Sequence, residues 1–294
     1  MSISPRKSFQ LDLGDRILEL GHHTFLMGIL NVTPDSFSDG GKFADFPRAV
    51  EHARDMIRDG ADLLDVGGES TRPGSDSVPT DIELERVIPV IRRIREFSDI
   101  PISIDTTKAE VARQALAAGA NMVNDVSALR FDGRMTEVLA ASGAPVILMH
   151  MLGTPKTMQK EPHYQSLLSE ILAFLEERIQ FAVAHGVRRN QIVVDPGLGF
   201  GKTVEHNLQL IRDLEIFRCL DRPILLGASR KRFIGAVLNK PVQDREVGTA
   251  VVNSFAILAG VHILRVHQPA FHKQVVMMGD ALRSRGDGRD FDPT

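Results

Sequence analysis

The sequence predicts a single (β/α)8 TIM barrel with an N-terminal β-hairpin, and three observations carry that reading. Eight short apolar runs recur along the chain, most of them separated by longer amphipathic segments, as parallel strands and crossover helices require. Polar residues gather at the C-terminal ends of the runs, which a closed barrel would bring to one rim. No linker rich in Pro, Gly or Ser divides the series, and 294 residues suit one barrel, which takes roughly 250. An open doubly wound sheet is the alternative architecture.

The first twenty residues, with FQLDLGDRILELG among them, read as a hairpin able to plug the end of the barrel opposite that rim. The strand runs follow as FLMGILNVT (25–33), LLDVGGES (63–70), PISIDT (101–106) and MVNDVS (122–127). PVILMHM (145–151), QIVVDPG (191–197), PILLGAS (223–229) and HILRVH (262–267) complete the eight. Their near-continuous hydrophobicity is that of parallel strands covered on both faces. The barrel domain is expected to span 1–284, and the tail 285–294, rich in Gly and charge, to be poorly ordered.

Composition narrows the function. A net charge of -3 excludes the basic face that nucleic acid demands, so any anion handled is small and bound locally. Cys219 is the only cysteine, expected as a small buried hydrophobe in a reducing compartment. With no signal peptide and no stretch of about 18 apolar residues, the chain is expected to be cytoplasmic and independent of membranes.

Two long polar segments follow the first two strands: NVTPDSFSDGGKF and GESTRPGSDSVP. Loops of this length without structure of their own are more often lids than spacers. Asp105, Asn124 and Asp195 each end a strand run. Any one of them alone would serve equally well as the cap of the next helix. Together they point to one cavity, where a carboxylate accepting two parallel N–H bonds matches a guanidine-like heterocycle edge such as that of a pterin. In GASRKRFIG, Arg230, Lys231 and Arg232 oppose the dipole of the helix they open, so Lys231 or its neighbours should answer to an anion or a ring carbonyl. Arg265 and His267 alternate on the eighth strand and so share its inner face, which suggests phosphate.

Two decoys fall away. DPGLGFGKT lacks the first glycine of a P-loop, Pro196 standing in its place. His22 and His23 lack zinc-ligand spacing, so any metal should be a hard cation held by oxygen and by the substrate's own phosphates, as Mg²⁺ prefers.

Six motifs, MGILNVTPDSFSDGG, GESTRPG, VNDVSA, DPGLGFGK, GASRKRFIG and RVH, resemble those of the dihydropteroate synthase family in that family's order, from Gly28 to His267. The resemblance implies a homodimeric TIM barrel condensing 6-hydroxymethyl-7,8-dihydropterin pyrophosphate with 4-aminobenzoate to 7,8-dihydropteroate and pyrophosphate, with Mg²⁺ as cofactor. By motif it implies that Asn31 touches Mg²⁺ and pyrophosphate, with Arg265 and His267 on the phosphate oxygens. Asp105, Asn124, Asp195 and Lys231 would bind the pterin, with Met149 packed on its ring. Thr71, Arg72, Pro73, Phe200, Ser229 and Arg232 would shape the 4-aminobenzoate pocket, the sulfonamide site of the family. Asp105, Lys231 and Arg72 would act in catalysis. Two positions depart from the family's habit: Arg232, where a small hydroxyl residue is common, and Gln268, where an acidic one is. Two readings compete: a non-catalytic pterin-binding paralogue, and a methyltetrahydrofolate-binding methyltransferase domain, which would lack STRPG, SRK and RVH.

Overall fold

A computed structural model describes residues 5–33, 41–70 and 74–283, with residues 41–45 described by backbone alone. The expectations placed on Thr71, Arg72, Pro73 and the tail 285–294 lie outside the described residues, as does most of the first long loop.

Eight parallel strands form one sheet: β3 (Phe25–Asn31), β4 (Leu63–Gly67), β5 (Ile102–Asp105), β6 (Met122–Asp125), β7 (Val146–Met149), β8 (Ile192–Asp195), β9 (Leu225–Leu226) and β10 (Ile263–Val266). The neighbours run in chain order from β3 to β8, and β10 lies between β9 and β3. Closure comes between β8 and β9, through the parallel bridge of Val194 to Ile224 and a bond from Val194 N to Pro223 O at 2.9 Å. The run 223–229 yields only the short β9, because Pro223 brings no N–H to the ladder and the chain turns at Ala228, whose carbonyl accepts from Lys231 N at 3.2 Å.

Helices α1 (Gly41–Arg58), α2 (Thr80–Arg95), α3 (Ala109–Ala117), α4 (Met135–Ser142), α5 (Leu167–Ala184), α6 (Val204–Arg212), α7 (Arg232–Leu238), α8 (Glu246–Ala259) and α9 (Pro269–Arg283) surround the strands. Side chains alternate along each strand, so two cores result. Leu64, Val66, Ile102, Ile104, Val146, Leu148, Ile192 and Val194 face outward and pack with the helices in the larger core. Met27, Leu63, Met122, Ile147, Val193, Leu225 and Ile263 face inward and form a second, smaller one.

The hairpin of β1 (Phe9–Asp12) and β2 (Ile17–Leu20) completes that inner core with Leu11, Leu13, Leu18 and Leu20. It therefore covers the barrel end away from the strand C-termini, as the sequence suggested. Polar latches fix it: Asp12 N donates to Gln191 Oε1 at 2.9 Å, Gln191 Nε2 donates to Asp12 O at 2.6 Å, and the His262 ring bonds Lys7 O at 3.0 Å.

Cys219 departs from expectation and is exposed. It lies in a 3-10 turn, Leu214–Leu220, whose three-residue period sends Leu214, Phe217 and Leu220 inward and turns Cys219 out. Among the described residues no helix is long and apolar enough to cross a membrane.

Candidate active site

Above the apolar floor, the next inward positions of β4, β6, β8 and β10 are polar. The alternation that buries Leu63, Met122, Val193 and Ile263 in the inner core carries Asp65, Asn124, Asp195 and Arg265 into the layer above it. Arg265 is clamped by two carboxylates: Nε donates to Asp65 Oδ2 at 2.6 Å and Nη2 to Asp105 Oδ2 at 2.8 Å. Asn124 Nδ2 donates to the same Asp65 oxygen at 3.0 Å. Two buried carboxylates around one guanidinium would be costly without these bonds. Burial, with the neighbouring charge of Asp65, outweighs the pull of Arg265 and raises the Asp105 carboxyl to about 7. Burial works to lower the Arg265 pKa, but Asp65 and Asp105 reverse the sign. The second oxygen of Asp105 is buried with no hydrogen-bond partner among the described residues, and so stands ready for a donor.

Asp195 lies on the opposite arc of the barrel. Its Oδ1 accepts from Gly197 N at 2.7 Å, and burial raises its carboxyl to about 6 against the charges of Lys231, Lys202 and Arg265. Burial and the charge of Arg265 lower the Lys231 ammonium to about 8, opposed by Asp195 and Asp105. These four groups thus feel one another as a single cluster. Lys231 Nζ also stands over Phe200, which clusters with Val126, Met149, Met151 and Met158 as an apolar wall. Gly197, at φ +71°, is obligatory in the loop beneath: a Cβ there would fall 1.9 Å from His150 O.

The lysine of the P-loop lookalike serves that same loop. Lys202 is 3% exposed, donates to Phe200 O at 3.1 Å and is joined to His150 Nδ1 at 2.9 Å. Burial lowers its pKa to about 7. It braces the segment that carries Phe200 and is no phosphate cradle.

On the remaining arc, His267 Nδ1 bonds Ser229 Oγ at 2.8 Å, and His267 N donates to the same hydroxyl at 3.2 Å. Of the three cations in SRKR only Lys231 joins the cavity. Arg230, at φ +56°, is turned away to Glu246, which also holds His272 at 3.0 Å. Of the alternatives the sequence left open, Lys231 or its neighbours, the geometry removes Arg230. Arg232 opens α7 and is exposed. Asn31 ends β3 beside the bare Gly67, where a Cβ would lie 3.7 Å from Asp105 Oδ2 and 3.8 Å from Asn31 Oδ1. Asn31 and Asp105 thus flank one gap that any side chain at position 67 would fill.

Sequence reasoning missed Asp65, although Leu63, Asp65 and Gly67 alternate on one face of β4, the signal that could have found it. It also missed the stem of the second loop. There Lys108 pairs with Glu69 and with fully buried Glu83, Val78 N donates to Glu69 Oε2 at 3.0 Å, and Arg86 donates to Gly68 O at 2.7 Å. Lys108 lies on a different element from both acids, so no spacing rule connects them.

Residues 27–267 match the family described as pterin binding enzyme. A dihydropteroate synthase of Synechocystis sp. is 47% identical over 273 residues, 92% of this chain and 94% of that protein. One of Bacillus subtilis is 46% identical over 90% of each chain. Among solved structures, the Xanthomonas albilineans dihydropteroate synthase with 4-aminobenzoic acid superposes with a TM-score of 0.88 at 42% identity, covering 95% of this chain and 100% of that one. The Yersinia pestis enzyme in complex with a sulfonamide drug gives 0.87 at 42% identity over 91% and 98%. With the inward carboxylates, the Lys231 turn and the Arg265–His267 strand end in the matched span, the chain belongs to the dihydropteroate synthase family of pterin-binding enzymes.

Proposed function

We propose that this chain condenses 6-hydroxymethyl-7,8-dihydropterin pyrophosphate with 4-aminobenzoate, giving 7,8-dihydropteroate and pyrophosphate. The observation that carries the proposal is the clustering of Asp105, Asn124, Asp195, Lys231 and Arg265 above the apolar inner core. The reading is supported by relatives that bear this activity in their names and by a solved relative from Xanthomonas albilineans in complex with 7,8-dihydropteroate.

In this reading Asp105 and Asp195 accept the N–H groups of the pterin, Asn124 and Lys231 meet its remaining polar edge, and Met149 packs against the ring. Arg265 and His267 hold the pyrophosphate oxygens. The bond between the exocyclic methylene and the pyrophosphate oxygen breaks, the positive charge spreads into the dihydropterin, and the amine nitrogen forms the new bond and gives up a proton. The site therefore has to stabilise two separating charges more than it has to supply a strong base. In their ionised forms Asp105 and Asp195 favour the cationic ring, while Arg265 and His267 favour the departing anion. The amine of 4-aminobenzoate is neutral near pH 7, so what remains is to place it in line, the task proposed for Phe200, Ser229, Arg232 and the Thr71, Arg72, Pro73 segment.

Mg²⁺ fits this donor set in one way. Among the described residues no group of three His, Cys, Asp or Glu side chains could hold a metal ion, so those residues offer no cage. Asn31 provides a neutral oxygen beside Asp105, and pyrophosphate would provide the rest. When bound, the cation neutralises charge on the leaving pyrophosphate.

A homodimer belongs to the same proposal. Val247, Val251 and Phe255 on α8, with Met277, Met278 and Leu282 on α9, are all exposed, and the two helices pack side by side, an apolar face suited to a second copy. Cytoplasmic action is supported by the single cysteine, which offers no intramolecular disulfide. Incubation of purified protein with the pterin pyrophosphate, labelled 4-aminobenzoate and Mg²⁺ tests the activity: labelled dihydropteroate is expected, and its absence with intact pterin binding would leave only a binding protein.

A further inference from the structure

Asp65 is fully buried and lies one inward position below Asp105: on the β4–β5 ladder it pairs with Ser103, while Gly67, two residues on, pairs with Asp105. It is thus too deep to be the group a ligand meets first, yet two groups that do face the cavity are tied to it. We propose that Asp65 is a positioning residue for the reaction, setting which atom of Asn124 and which edge of Arg265 face the substrate. The proposal rests on the synthase reading given above.

One oxygen, Asp65 Oδ2, receives both Arg265 Nε at 2.6 Å and Asn124 Nδ2 at 3.0 Å. A carboxylate oxygen bound to a guanidinium can only accept, so the carboxamide has to turn an N–H toward it. The Asn124 oxygen is then the atom left for a ligand. An unrestrained asparagine would offer donor or acceptor alike; Asp65 makes this one an acceptor and selects a ring edge that presents N–H. For Arg265, Asp65 takes Nε and Asp105 takes Nη2, so the carboxylates occupy one edge of the fork. That leaves Nη1 as the terminal nitrogen without a carboxylate partner among the described residues, available to an anionic oxygen. The other Asp65 oxygen, Oδ1, has no hydrogen-bond partner among the described residues. The side chain is therefore not saturated by packing bonds of its own, and its function is concentrated in the oxygen that both partners share.

The test uses the full chain. D65N preserves shape but removes the obligatory acceptor, so the Asn124 carboxamide and the Arg265 fork lose their fixed orientation. We expect kcat/KM for the pterin pyrophosphate to fall about tenfold or more, with KM for 4-aminobenzoate and the melting temperature close to wild type. In an N124A background the same substitution should cost clearly less, because part of its effect runs through Asn124. Equal losses for both substrates, or a full loss in the N124A background, would overturn the proposal. Should D65N not fold, hydrogen exchange in the wild-type protein decides: the Asn124 carboxamide and Arg265 Nε–H are expected to exchange far more slowly than exposed asparagine and arginine side chains, and matching rates would sink the idea. Absence of turnover in the wild-type protein would instead count against the synthase reading and leave this exchange measurement valid.

Discussion

Lys231 Nζ stands 4.0 Å from the centre of the Phe200 ring. A cation held over an aromatic face in a half-buried site is stabilised by roughly 0.5–2 kcal/mol, so the ring steers the ammonium as well as walling the cavity. Phe200→Leu, which keeps an apolar side chain and removes the ring face, is expected to lower kcat/KM by about 2- to 30-fold. Steady-state kinetics against both substrates checks this; unchanged values would detach Phe200 from the reacting groups.

Asp195→Ala is expected to weaken pterin binding by about 10- to 150-fold through loss of charge-assisted hydrogen bonds. Because the carboxyl is raised to about 6, wild-type affinity should climb as pH rises through that value. Asp195→Asn should flatten the climb. Calorimetric titration with a pterin measures both, and a pH-independent wild type would contradict the assignment.

His267→Ala should weaken pyrophosphate binding more than binding of free pterin, without changing the melting temperature. Arg265→Ala should do the same and also destabilise the fold by about 3–5 kcal/mol, since it strands Asp65 and Asp105 without their cation. Competition binding and thermal denaturation separate the two effects. Equal losses for both ligands would remove these residues from the anion site.

Folding stability should decline in acid through His262. Burial lowers its ring from 6.5 to about 4, and the ring accepts from Ile224 N at 3.1 Å, a bond that needs the neutral form. Between these values the unfolded chain binds more protons than the folded one, so stability is present above about 6.5 and is lost as pH falls toward about 4, by an amount on the order of 3 kcal/mol. Urea denaturation across that range measures the slope, and His262→Gln should reduce it.

Leu11→Ala opens a cavity in the plugged end of the barrel and should cost about 2–5 kcal/mol. KM values should hold, because Leu11 belongs to the floor and not to the polar layer. Parallel changes in KM would show that floor and site are not independent.

Much of this was legible in the sequence because it follows from periodicity. The eight runs located the strands within a few residues, and the parity that buries Leu63, Met122 and Val193 also delivers Asp65, Asn124 and Asp195 to the interior. The gathering of Asp105, Asn124, Asp195, Lys231 and Arg265 was readable from their places at strand ends. What escaped depends on partners that are distant in the chain: Arg230 reads as a third cation until Glu246, sixteen residues on, claims it. Asp65 was hidden by lying in mid-strand, where a carboxylate gives no sign of whether it meets solvent or a buried arginine. Cys219 was misjudged because a 3-10 turn, not an α-helix, sets which residues point inward there.

The leucines of the hairpin stop the cylinder at the end away from the strand C-termini. A ligand held at the Arg265 clamp would enter from the other end, and the deeper of two ligands would have to arrive first and depart last. One route in imposes an order without any moving part: a second ligand seated nearer the mouth would hold back the first.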